Sequence, residues 1–139
     1  PMPGFRESVR SCAYEKYSQF SGRTGRAEFW WFILALFLIN CTLIVIGIIL
    51  PFIQTSILGG FTLVILSPFA AALTRRLHDV GLSGKWVAAA FIIAVIAGTA
   101  GTYSTLYWAK FVTPAAFGLL FLISLFPGSK AENTYGPVP

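Results

Sequence analysis

At 139 residues, 56% hydrophobic and 11% charged, with a mean hydropathy of +0.75, the chain lies outside the range of a water-soluble globular domain, and a bilayer is its natural solvent. The net charge of +5 does not point to nucleic acid, because the cations sit in short clusters beside apolar runs rather than in a basic groove interleaved with aromatics; anionic lipid headgroups are the expected counterpart. Cys12 precedes the first apolar run and Cys41 lies deep inside it, about 18 Å further along at helical rise, so both are expected to be free thiols.

From Phe5 to Phe20 the residues Phe5, Val9, Ala13, Tyr17 and Phe20 recur at steps of three and four, with Arg6, Glu7, Arg10, Glu15 and Lys16 mostly elsewhere around the wheel. This pattern predicts an amphipathic helix, lying in the headgroup plane or packed on the ends of a helix bundle. Ser21, Gly22, Thr24 and Gly25 break it, and Ser21 or Thr24 is placed to cap the next helix. Phe29 to Leu50 then runs without a charge, long enough for a hydrocarbon core of about 30 Å. Trp30 and Trp31 mark its interface. The segment is too long and begins too late for a signal peptide.

Residues 52–73 form a second uncharged run with Pro68 inside it, and the helix is expected to continue into the polar island from Thr74 to Trp86. There Arg75, Arg76 and His78 suit the negative end of the helix dipole, Gly81 is the expected stop, and Ser83 and Gly84 reverse the chain before the anchor Trp86. A third span covers 86–103, where Ala90, Ala94 and Gly98 recur every fourth residue and predict a close helix contact. The loop from Ser104 to Lys110 carries Tyr107 and Trp108 as an aromatic belt. Residues 111–126 form a fourth, shorter span with Pro114 in its first turn, and 127–139 an irregular tail.

The sequence therefore reads as all-α: a cytoplasmic interfacial segment at 1–28, a transmembrane domain of four helices at 29–126, and a cytoplasmic tail at 127–139. Five lysines and arginines precede the first span, three lie in the polar island, one is Lys110 and one is Lys130. That bias predicts that both termini and the island face the cytoplasm.

Three groups of residues carry a family resemblance: Phe20-Ser21-Gly22-Arg23 with Arg26, Glu28, Phe29 and Trp30; Arg75 to Gly81 with Ser83 and Gly84; and Gly128 with Glu132 to Pro137. Together, in this order, they resemble the bacterial inner-membrane family known as domain of unknown function 805, from about Tyr17 onward. Lys85 stands where many members have an aromatic residue. The resemblance implies a four-helix protein of the bacterial inner membrane and implies no enzyme activity.

His78-Asp79 hints at metal or acid–base chemistry, but adjacent helical side chains diverge by about 100°, a metal needs three or four convergent ligands, and the chain has one histidine. Asp79 is spaced for an ion pair with Arg75 or Arg76. The spans hold only weak polar groups such as Asn40, and no nucleophile elbow, phosphate-binding loop or carboxylate pair is present. No catalytic, cofactor or metal residues are therefore expected, and the protein is not expected to be an enzyme. A cluster of Arg23, Arg26, Glu28, Arg75, Arg76, His78, Asp79, Asn133 and Tyr135 at the cytoplasmic face is expected, either structural or binding anionic headgroups or a partner protein. The role this implies is a non-catalytic scaffold or accessory subunit, within a larger membrane complex or homo-oligomer. The alternative is a component of a small oligomeric transporter or channel.

Overall fold

The computed structural model describes residues 2–103 and 107–139. Their regular structure is helical: α1 (Phe5–Arg10) running into a π turn at Ser11–Glu15, α2 (Arg26–Ile49), a 3-10 turn at Pro51–Ile53, α3 (Gln54–Val80), α4 (Lys85–Tyr103) and α5 (Ala109–Leu125). Three stretches, Arg26–Ile49, Pro51–Val80 and Lys85–Tyr103, are long and apolar enough to cross a membrane, and Ala109–Leu125 is a shorter apolar helix. At 1.5 Å per residue α5 reaches about 26 Å.

Two antiparallel hairpins, α2 with α3 and α4 with α5, are joined mainly through α3 and α5, and α1 lies against α2. Burial is concentrated at one end. Every residue of α3 from Ala71 to Asp79 is buried, and the core there comprises Cys12, Phe29, Phe32, Ala72, Leu73, Leu77, Val87, Ala90 and Leu120. Toward the other end Phe37, Ile48, Ile49, Phe52, Leu63, Val95 and Ile96 face outward. Apolar exposure on this scale would promote association in water and is the normal condition of a lipid-facing helix. The chain is thus a helical membrane protein that is dry and tightly packed at the polar end.

Gly81 ends α3 in the left-handed conformation, φ +94°. Its N–H donates to the His78 carbonyl at 3.1 Å and that of Leu82 to the Leu77 carbonyl at 2.8 Å, the paired bonds that close a helix C-terminus around glycine.

Several sequence expectations need correction. The first helix stops well before Phe20, and of its two expected placements the stripe does not make the packed one: Ser8 and Cys12 are the buried line, and Phe5, Tyr17 and Phe20 are exposed. The cause is Glu28, whose buried carboxylate draws the small polar face of this segment inward. Neither Ser21 nor Thr24 caps α2; the cap position is Gly25, without a side-chain bond. Trp30 is half-buried at 5.2 Å from Phe29 and 6.0 Å from Phe121, a core-edge residue rather than an interface anchor, while Trp31 and Trp86 are exposed as anchors would be. Pro114 sits in the body of α5, beyond its first turn. The tail is ordered at its centre, where Asn133 and Gly136 pair across a tight turn.

The α4 stripe is also rotated from expectation. Val87, Ala90 and Ala97 are buried and Ala94 partly so, whereas Gly98 is exposed and a Cβ there would meet nothing within 4 Å. Steps of three and four, rather than strict fours, keep a small-residue line facing one neighbour. The expected loop from Ser104 to Lys110 begins outside the described residues; Tyr107 and Trp108 within it are exposed.

Ala90→Leu should therefore lower thermal stability in detergent by about 1–3 kcal/mol, the usual cost of overpacking, while Gly98→Leu leaves it unchanged. Equal melting temperatures for the two variants would place the packed face elsewhere.

Candidate functional site

The packed end is built on three arginines that have almost no solvent exposure. Arg75 and Arg76 are 1% and 0% exposed and Arg23 is 7% exposed. A buried guanidinium is tolerated only when its donors meet acceptors, and here every one of the nine guanidinium nitrogens does. Arg23 donates from Nε and Nη2 to Asp79 Oδ1 at 3.0 and 2.8 Å. It also reaches the tail, at the carbonyls of Ser129 (2.6 Å), Ala131 (2.9 Å) and Gly136 (3.2 Å).

Arg76 pairs with Asp79 Oδ2 from one turn away. Its remaining bonds run to the carbonyls of Ser124 at 3.0 Å and Phe126 at 2.5 Å, at the end of α5, and of Thr24 at 3.3 Å. Those α5 carbonyls have no helical partner and carry the negative end of its dipole, so a cation is well placed there. Arg75 turns the other way, to Thr24 Oγ1 at 2.9 Å, the carbonyls of Lys16 and Gln19 at 3.1 and 2.5 Å, and Cys12 Sγ at 3.6 Å.

Asp79 and Arg76 are thus the expected pair, and Arg75 is not part of it. Gly128 lies so close to the Asp79 carboxylate that a Cβ would overlap it. Gly84 packs on Thr74 in the same manner, with a Cβ 2.5 Å from the Thr74 methyl. Glu28 forms a separate centre, accepting from Ser11 Oγ at 2.6 Å and Lys16 Nζ at 3.2 Å. Burial and the nearby Glu28 push the Cys12 thiol up to about 11, which keeps it neutral and unreactive at neutral pH. Arg26 is exposed and lines an open groove with Trp30, Trp31, Leu34 and Leu125; it does not join the cluster.

His78 donates from Nδ1 to the Gly22 carbonyl at 3.0 Å and stacks flat on Tyr135, ring centroids 4.0 Å apart. Asn133 caps α3 by donating to the His78 carbonyl at 2.9 Å, while its own Oδ1 accepts from the Tyr135 N–H at 2.9 Å. Ser129 N–H donates to the Asp79 carbonyl at 2.8 Å. All three motif groups of the sequence meet here.

A family model described as "Protein of unknown function (DUF805)" matches residues 17–137. The chain belongs to the DUF805 family. The match takes in every arginine of the buried cluster and the tail to Pro137, and leaves α1 and the π turn outside it. Among curated proteins the chain is similar to "Uncharacterized protein YiiR" of Escherichia coli strain K12 and to the protein of that name in strain O157:H7. Each is 38% identical over 131 residues, covering 84% of this chain and 83% of the relative. No solved structure matches the chain significantly.

Sequence reasoning missed Thr24, fully buried, which bonds Arg75 through its N–H (donating to the Arg75 carbonyl at 3.1 Å) and its hydroxyl, and Arg76 through its carbonyl. It also missed Ser124 and Ser129. The available signal was arithmetic: three arginines beside one aspartate in a DUF805 motif set require acceptors from the backbone.

Asp79→Asn should lower stability in detergent by about 3–5 kcal/mol, the range for removing one partner of a buried ion pair. Combined with Arg76→Gln, the loss should fall short of the sum of the single losses, as coupled residues require. Strict additivity in denaturant titrations would show that the pair does not interact.

Proposed function

We propose that the protein is a four-span protein of the bacterial inner membrane, with both termini cytoplasmic, acting as a non-catalytic scaffold or accessory module whose cytoplasmic rim associates with anionic headgroups. The observation that carries this reading is the enclosure of Arg23, Arg75 and Arg76: every one of their nitrogens is engaged inside the fold, and they hold the helix ends together from within it. The cations placed to meet a membrane surface are the exposed ones around them, Arg6, Arg26, Lys85 and Lys130, with Arg10, which also pairs with Glu15 at 3.2 Å. Each such cation near an anionic leaflet contributes about 1 kcal/mol of attraction.

Four crossings are supported by the position of the chain ends. The segment before α2 and the tail after α5 meet at the Arg23 contacts with Ser129 and Ala131, and a chain whose ends lie on one side crosses an even number of times. Helix α5 therefore counts as a span despite its length. The exposed stripe Phe5, Tyr17 and Phe20 beside Arg6 and Arg10 supports a headgroup-level position for the first segment.

In spheroplasts, an impermeant thiol reagent should modify Tyr107→Cys in a Cys12→Ala, Cys41→Ala background and spare Lys130→Cys. Labelling at position 130 alone would invert the orientation. Replacing Arg6, Arg10 and Arg26 together by Gln should leave the melting temperature nearly unchanged and lower the share of anionic lipid that co-purifies with the protein. An unaltered lipid profile would remove the headgroup role of this rim.

A further inference from the structure

Between α3 and the start of α4, beside the arginine cluster, lies a pocket of about 440 Å³. Apolar walls from Phe20, Val87 and Phe91 meet the polar groups of Thr74, His78, Ser83 and Lys85. Two of these belong to residues that are almost wholly buried, Thr74 at 6% and His78 at 9% exposure, and among the described residues neither Thr74 Oγ1 nor His78 Nε2 has a protein partner. Neither atom is itself cut off from solvent: each faces the pocket, and a ligand that displaces water there must replace its hydrogen bonds.

The chemistry of the pocket follows from those atoms. The Gly22 carbonyl is an acceptor, so Nδ1 of His78 carries a ring proton and Nε2 is the ring atom that faces the pocket. A ligand hydroxyl, which can both donate and accept, matches Nε2. Thr74 offers a hydroxyl donor, and so does Ser83, whose oxygen already accepts from the Lys85 N–H at 3.3 Å. Lys85 adds a positive charge at the first turn of α4, where the helix dipole disfavours a cation and favours an anion. One ligand class combines an anion for Lys85, Thr74 and Ser83 with a hydroxyl for His78.

We propose that this pocket binds a polyol phosphate, carried by a glycerophospholipid such as phosphatidylglycerol, with its glycerol hydroxyl on His78 Nε2 and its apolar part against Phe20, Val87 and Phe91. The proposal rests on the membrane reading above and sharpens it from a charged rim to one defined headgroup site. The lipid-borne source is favoured because the walls are apolar and Trp86, adjacent to Lys85, is exposed at the same level, where an indole ring favours the membrane interface.

Titration calorimetry of the full chain in a zwitterionic detergent tests this with dioctanoyl phosphatidylglycerol, dioctanoyl phosphatidylcholine and glycerol 3-phosphate. Saturable binding of the phosphatidylglycerol is expected, with little heat from the other two. Thr74→Val, which removes only a hydroxyl that bonds nothing in the protein, should weaken it about tenfold, as loss of a hydrogen bond to a charged group does, with no change in the lipid-free melting temperature. Two outcomes overturn the site. Undiminished binding by Thr74→Val, with Lys85→Gln weakening all anionic lipids alike, would leave only the charged rim and spare the broader reading. Absence of binding by any anionic lipid would remove both. Glycerol 3-phosphate binding as tightly as the lipid would overturn the lipid source and assign a free polyol phosphate.

Discussion

The Asp79 carboxylate, enclosed by Arg23 and Arg76 at the C-terminal end of α3, is the contact on which the rest of the structure depends. Arg23 belongs to the segment before α2 and Arg76 to α3, and both extend past Asp79 to carbonyls at the end of α5 and in the tail. One carboxylate thereby fixes the relative position of three parts of the chain that are far apart in sequence. Its burial requires a glycine at 128, since any side chain would occupy the space of the carboxylate. Desolvating these charges is costly, and the cost is offset because each charge meets several hydrogen-bonding partners in a site from which water is excluded.

That arrangement explains why order and burial are so unequal along the helices. In a bilayer the hydrophobic effect gives helices little reason to associate, so packing and polar contacts must do so. Here the polar contacts are confined to one end, and close packing follows them: the buried run Ala71 to Asp79 lies beside the arginines, and the opposite halves of α2 and α3 are left to face lipid. The open apolar groove between the hairpins, lined by Phe37, Asn40, Thr62, Phe69 and Phe91, is the consequence.

Much of this was legible in the sequence. Uncharged runs of bilayer length located the helices, Gly81 marked the end of α3, and the spacing of Asp79 predicted an ion pair with Arg75 or Arg76, without saying which. The meeting of His78, Asn133 and Tyr135 followed from the common side of the three motif groups. What escaped sequence reading depended on which way a side chain turns. Arg26 and Arg23 lie three residues apart and look equivalent, yet one is exposed and the other buried, because only Arg23 lies in the irregular segment before α2 that passes beside Asp79. Thr24 resembled a helix cap and instead faces Arg75. Gly98 matched a packing repeat, but helical geometry carried Ala97 inward in its place. The aromatic stripe of the first helix faces away from the bundle, and the polar face that is buried instead left no periodic signal, since it is the carboxylate of Glu28 that recruits Ser11 and Lys16.

The central claim is that Arg23, Arg75 and Arg76 are structural groups enclosed by the fold, and the hydrogen exchange of their guanidinium Nε–H groups measures it directly. In ¹⁵N-correlated spectra of the protein in detergent micelles, assigned by single Arg→Lys substitutions, these three Nε–H resonances should be resolved, exchange slowly with solvent and stay in place when anionic lipid is added, while those of Arg6, Arg10 and Arg26 exchange rapidly. Exchange of all six at surface rates, or movement of the three buried resonances on adding anionic lipid, would contradict the account.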